Sequence, residues 1–322
     1  MTKHRMRLPQ LEGGLFLTDG GIETCLIFLD GLDLPHFAAF HLLREKAGRE
    51  ALRRYFVRYM RIAADGGHGF VLESPTWRAS SDWGEKLGYS RAALAAANRD
   101  ATLLMHELRD VAEGHAMPVV VSGCVGPRGD GYDPGQVMTA KESEVYHAGQ
   151  IEAFADAGAD MITAITMTNV NEAVGVTRAA RQAGMPVAIS FTVETDGRLP
   201  TGESLANAIE AVDATTGGAP AYYMINCAHP THFADRLDDG GGTWMSRVRG
   251  VRANASRRSH AELNEAPDLD AGDPVELGHQ YRELLRRHPQ INVVGGCCGT
   301  DHRHVACIGE ACKTLALPAR SA

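Results

Sequence analysis

The sequence lacks the marks of several common protein classes. Aromatic residues make up only 6% of the chain and the net charge is -8. No basic stripe or aromatic-interleaved basic run occurs, which argues against a nucleic-acid partner. Thr2-Lys3-His4-Arg5 is followed by no long apolar run, so neither a signal peptide nor a membrane span is expected. The seven cysteines are an odd number spread over a long chain, unlike a disulfide framework. That usage fits a reducing cytoplasm, where free thiols are available for metal or chemistry. No G-x-G-x-x-G follows the first apolar strand, and no Lys-Ser/Thr follows Gly240-Gly241-Gly242. The dinucleotide and phosphate-loop signatures are therefore both missing. No linker divides the chain, so residues 1–322 read as a single domain. Nothing in the pattern specifies an oligomeric state.

What is present is an ordinary globular composition, 44% hydrophobic and 22% charged over 322 residues. After a polar lead-in over residues 1–14, short apolar runs alternate with amphipathic segments. The runs begin at Leu15-Phe16-Leu17-Thr18, Gly69-Phe70-Val71-Leu72, Pro118-Val119-Val120-Val121-Ser122 and Ala159 to Ile165. They continue at Pro186 to Phe191, Ala221 to Asn226, a weaker Val248 to Ala253, and Ile291 to Val294. Helical periodicity fills the gaps. Leu52, Phe56, Tyr59, Met60 and Ala63 mark a helix from about Arg49 to Asp65, and Ser90 caps a helix reaching about Glu113. Further helices are expected over 140–157, 171–183, 203–214, 274–287 and 301–315. Eight strands alternating with helices predict an α/β fold, a (β/α)8 TIM barrel, with a doubly wound sheet as the alternative. Asp238 to Thr243 and Ser256 to Asp273 read as loops, the second long enough to help cover a site.

The stretch Val293-Val294-Gly295-Gly296-Cys297-Cys298-Gly299-Thr300 stands out. Neighbouring strand residues face opposite sides, so packing does not call for two adjacent thiols. The glycines allow a backbone path on which both sulfurs point at one spot, and Thr300-Asp301 reads as a helix start. In a barrel the active site lies at the C-terminal strand ends. Cys227 ends strand six there, and Cys297 and Cys298 end strand eight. Three thiolates with one open position suit a catalytic zinc ion, Zn2+. A vicinal disulfide or redox switch is the competing reading. Cys25, Cys124, Cys307 and Cys312 read as small buried hydrophobes. His229, His302 and His304 read as helix-start or surface residues rather than a fourth ligand.

The chain resembles the zinc-dependent homocysteine S-methyltransferase family, whose members include betaine- and S-methylmethionine-using enzymes. The resemblance rests on Asp19-Gly20-Gly21, Gly123-Cys124-Val125-Gly126-Pro127, Asp196 to Glu203, Asn226-Cys227 and Gly295 to Thr300, which span the chain in order. It implies the barrel already reached by counting and a place in methionine biosynthesis. It also implies methyl transfer from a sulfonium-type or other cationic donor to a thiol, with homocysteine giving methionine. Cys227, Cys297 and Cys298 would be the metal ligands, activating the substrate thiol without a further catalytic residue. Asp19 matches the family's substrate-side aspartate, and Thr166 stands at its expected place. Trp77 is a candidate to cover a cationic methyl group, or else a packing residue.

One departure matters. The family glutamate that holds the homocysteine amino group aligns with Ile165, which cannot accept a hydrogen bond. Glu23, Glu73 and Glu194, just after strands one, two and five, are candidates to replace it. Glu73 stands where relatives tend to have a small polar residue. The alternatives are a different thiol or selenol acceptor, or a non-catalytic zinc and thiol redox sensor.

Overall fold

Each apolar run forms a strand covered on both faces. In the computed structural model, which describes residues 2–112, 117–238, 242–266 and 268–315, the strands are β1 (Phe16–Leu17), β2 (Gly69–Glu73), β3 (Val119–Val125), β4 (Met161–Met167), β5 (Val187–Phe191), β6 (Tyr222–Asn226), β7 (Val248–Ala253) and β8 (Val293–Gly296). All neighbours pair in parallel. Phe16 of β1 lies opposite both Gly69 of β2 and Val293 of β8, so the sheet closes in sequence order. Closure excludes the doubly wound alternative.

The helices are α1 (Ile22–Thr24), α2 (Lys46–Gly66), α3 (Ser81–Lys86), α4 (Arg91–Ala112), α5 (Ala140–Asp156), α6 (Val170–Gln182), α7 (Leu205–Thr216), α8 (Pro230–Asp238), α9 (His260–Asn264), α10 (Pro274–Arg287) and α11 (His302–Cys312). Their apolar stripes pack on the barrel as the periodicity requires. On α2 the buried set includes Leu52, Phe56, Tyr59, Met60 and Ala63. Ser90 accepts from the Ala93 amide at 3.2 Å at the start of α4, the expected N-cap contact. Glu113, Gly240 and Gly241 lie outside the described residues. No helix among the described residues is long and apolar enough to cross a membrane.

Three expectations need correction. Strand β4 runs two residues further than the apolar pattern suggests, to Met167, because the ladder with β5 shifts register between Ala164 and Met167. Ile165 therefore lies inside the strand and not at its end. The long segment after β7 is also not all loop. Ser259 and Glu262 form a reciprocal capping box that starts α9. Lastly, the lead-in is structural. Leu8 joins Phe16, Val71, Val120, Met161, Ala188, Tyr222, Met224 and Val293 in a buried layer, and the Gln10 amide reaches the Met161 sulfur at 3.2 Å. This layer fills the barrel at the N-terminal end of its strands.

Asp160, just before β4, fastens the lead-in. Its Oδ1 accepts from the Lys3 and His4 amides at 2.7 and 3.0 Å. Its Oδ2 accepts from Arg109 at 2.8 Å and from the Val121 amide at 3.0 Å. Removing one partner of a buried ion pair strands the other charge. Asp160→Ala should therefore lower stability by about 3–5 kcal/mol in urea denaturation and leave metal content unchanged, because the site lies at the opposite end.

Candidate metal and substrate site

The backbone brings three sulfurs to one place. Cys227 follows β6, and Cys297 and Cys298 follow β8. Their Sγ atoms all lie within 4.8 Å of one another. Cys227 and Cys297 are joined as a disulfide with Cα atoms 5.4 Å apart, and Cys298 is a free thiol. The disulfide thus links two strand ends and not the neighbouring cysteines. The Cys297 amide donates to Ala253 O at 2.8 Å, and the Thr300 hydroxyl donates to Cys297 O at 2.7 Å. Asn254 Nδ2 donates to Cys227 O at 3.1 Å.

The glycines act mainly by leaving room. A Cβ at Gly296 would overlap Thr300 Oγ1, whereas Gly299 has a φ of +79° that side chains disfavour. Cys227 itself has a φ of 53° and Thr166 one of 64°, strained for residues with a Cβ. Asn226 holds that strain. It accepts from the Thr166 amide at 2.9 Å and from Ser190 at 2.6 Å. It donates to Thr166 Oγ1 at 2.8 Å and lies 3.9 Å from the Cys297 sulfur.

The sulfurs suit a soft metal. Zinc–sulfur bonds of about 2.3 Å separate tetrahedral ligands by roughly 3.8 Å, which is the scale of this cluster once the disulfide is reduced. No histidine belongs to the cluster among the described residues. His302 is exposed at the start of α11. His229 and His304 are buried, not surface residues. His229 bonds Thr231 at 2.8 Å, and His304 Nδ1 accepts from the Asp301 amide at 3.1 Å. Both therefore serve helix starts. Of the remaining cysteines, Cys25, Cys124 and Cys312 are buried, but Cys307 is half-buried, and Cys124 lines the site.

A cavity of about 370 Å³ opens over the sulfurs, lined by Asp19, Glu23, Glu73, Trp77, Arg78, Tyr132, Ile165, Thr166 and Arg252 among others. Arg252, inside β7, was not singled out by sequence. It donates to Asp19 Oδ1 at 2.5 Å, to Gly296 O at 3.0 Å and to Gly20 O at 3.2 Å, and it pairs with Glu73. Burial pushes the Asp19 and Glu73 carboxyls up, and the Arg252 guanidinium opposes this. Glu73 Oε2 is thus held in an ion pair within the barrel, while its buried Oε1 has no hydrogen-bond partner among the described residues. Glu194 is absent from the cavity wall. Its amide bonds Arg198 O at 2.8 Å in a turn.

Glu23 differs from both. It lines the cavity, has no ion-pair partner among the described residues, and is pushed up to about 7 by burial, with the Asp19 charge adding to the shift. Trp77 also lines the cavity, but its ring carries the Arg78 guanidinium at 4.5 Å. That face is therefore unavailable to a cationic methyl group. Tyr132 is a further contact that sequence missed. Its hydroxyl lies 3.4 Å from the Cys298 sulfur and its ring stacks on His260 at 3.8 Å, joining the loops after β3 and β7 over the site.

The family profile described as Homocysteine S-methyltransferase matches residues 16–312. The chain belongs to the homocysteine S-methyltransferase family. It is a methyltransferase. Homocysteine S-methyltransferase 4 of Zea mays is 26% identical over 325 residues, covering 94% of this chain and 90% of that protein. Betaine–homocysteine S-methyltransferase 1 of Rattus norvegicus is 25% identical over 284 residues, covering 81% of this chain. The chain spans 64% of the length of the rat protein. Crystal structures of the homocysteine methyltransferase MmuM from Escherichia coli share the fold. The oxidized form has a TM-score of 0.74 at 20% identity, covering 92% of this chain and 95% of that one. The metallated form has a TM-score of 0.73 at 19% identity, covering 95% and 99%.

The Glu23 shift gives a pH signature. Its carboxyl titrates near 4.5 in an unfolded chain and near 7 in the fold. Between these values the native state holds a proton that the unfolded state has released, so the contribution is full below 4.5 and lost as pH rises through 7. Glu23→Gln should therefore become more stable than the parent by about 3 kcal/mol between pH 4.5 and 8. Urea denaturation of reduced, metal-free protein checks this. A pH-independent difference would mean the carboxylate is well solvated.

Proposed function

We propose that this methyltransferase moves a methyl group from a cationic donor to the thiol of homocysteine, giving methionine, at a zinc site formed by reduced Cys227, Cys297 and Cys298. The observation that carries the reading is the convergence of these three sulfurs beneath a carboxylate-rich cavity in a chain of this family. When bound, zinc supplies a Lewis-acid position that keeps a substrate thiol deprotonated at neutral pH. Burial pushes the Cys298 thiol up, so in the metal-free site it holds its proton.

The chain's own residues then have separate tasks. Asn226 and the Thr300 hydroxyl fix the Cys297 peptide and sulfur. Arg252 pairs with both Asp19 and Glu73 and sets the spacing of three strand ends. The cavity wall also carries Glu23, Asp130, Asp268 and Asp270, against the guanidinium groups of Arg78 and Arg252. That excess of carboxylates favours a positively charged donor. Phe28, Phe37, Leu263 and Leu269 line the mouth and shield the reactants from water. Holding donor and thiol in line supplies much of the remaining acceleration.

A second reading keeps the same chemistry with another thiol or selenol as acceptor. Ile165 favours it, as an apolar side chain on the wall where relatives present a glutamate. The test is direct. Reduced, zinc-loaded protein is incubated with homocysteine and each of S-methylmethionine, S-adenosylmethionine and betaine. Methionine should form with at least one donor. Cys298→Ala should lose most of a bound zinc that otherwise approaches about one per chain, and with it the activity. No methionine from any donor would reject homocysteine as acceptor, and a metal-free protein with fully reactive thiols would instead support a redox sensor.

A further inference from the structure

The loss of the family glutamate at Ile165 leaves the question of what holds the polar end of the acceptor. Six carboxylates line the cavity, those of Asp19, Glu23, Glu73, Asp130, Asp268 and Asp270. Asp19 and Glu73 share Arg252. Glu23 lines the same cavity, is partly buried, and has no ion-pair partner among the described residues. A carboxylate kept in such a place is a cost to folding, and a cationic ligand would relieve it.

Arg78 lines the same cavity as Glu23. Its guanidinium carbon lies 3.6 Å from the Trp83 ring centre and 4.5 Å from that of Trp77. Its Nη2 donates to Asp130 at 3.3 Å. Its Nε and Nη1 are buried with no hydrogen-bond partner among the described residues. Buried unpartnered donors on a cavity wall call for a ligand or water. The stacked, planar guanidinium is also the group best shaped for a carboxylate.

We infer that Glu23 and Arg78 form a relocated amino-acid subsite, Glu23 binding the α-ammonium and Arg78 the α-carboxylate of the acceptor thiol. The subsite has moved from strand β4, where Ile165 now stands, to the segments following β1 and β2. This rests on the cavity being the acceptor site, as proposed above. It favours an α-amino-acid thiol over a simple thiol, and so the first reading over the second. Glu23 and Arg78 are specificity residues and take no part in the methyl transfer itself.

The experiment compares L-homocysteine with 4-mercaptobutanoate, which keeps the thiol and carboxylate but lacks the amino group. Dissociation constants are measured by calorimetry on the reduced protein, with and without zinc. The parent protein should bind homocysteine about 30-fold more tightly, the size expected for one charge-assisted contact. Glu23→Gln should abolish that preference by weakening homocysteine alone, with zinc content unchanged. Equal binding of the two thiols by the parent, or equal weakening of both in Glu23→Gln, would overturn the assignment. Methyl transfer is read separately. A binding preference without turnover indicts the proposed reaction, whereas turnover without the preference indicts Glu23.

Discussion

The rim of this barrel depends on one side chain, Arg252. Its guanidinium reaches the ends of β1, β2 and β8 from β7, holding Asp19, Glu73 and the Gly296 carbonyl. Two carboxylates so deeply placed would repel each other and resist ionisation. The arginine makes their proximity tolerable, and its length sets their separation. Such a buried triad is not an efficient source of stability, because desolvation cancels much of the attraction. Its value is positional, since it aligns Gly296 immediately before the cysteine pair.

The sulfur site is built on the same logic of constraint. Cys227 and Thr166 both occupy left-handed backbone, and Asn226 bonds both the amide and the hydroxyl of Thr166. The glycine run before Cys297 leaves space for the hydroxyls of Thr18 and Thr300, and the Thr300 hydroxyl in turn binds Cys297 O. Strain and close packing therefore fix three sulfurs near one point, whether they pair as a disulfide or hold a metal. Above them the loops after β3 and β7 meet through Tyr132 and His260, so the cavity has walls from nearly every strand end.

Much of this was legible in the chain. The eight apolar runs, their helical spacers and the thiols at two strand ends all follow from local periodicity and from Gly295 to Thr300. Ile165 was visible as a departure, but its place inside β4 was not, because a bulge at Thr166 shifts the register without changing the apolar pattern. Arg252 was missed because its meaning lies in three partners distant in sequence. The only local signal was a charged residue inside an apolar strand. Glu73 looked free for the matching reason, since its partner could not be seen. Residues 1–14 read only as a polar lead-in because Leu8 and Gln10 show their role only against the barrel floor.

In the proposed site, reduced Cys227, Cys297 and Cys298 hold one metal ion and leave a position for a thiol. X-ray absorption at the zinc edge tests this most directly. The reduced, zinc-loaded protein should show three sulfur neighbours at about 2.3 Å and one lighter neighbour, and homocysteine should replace the lighter neighbour with a fourth sulfur. A first shell dominated by nitrogen or oxygen, or one unchanged by homocysteine, would contradict it.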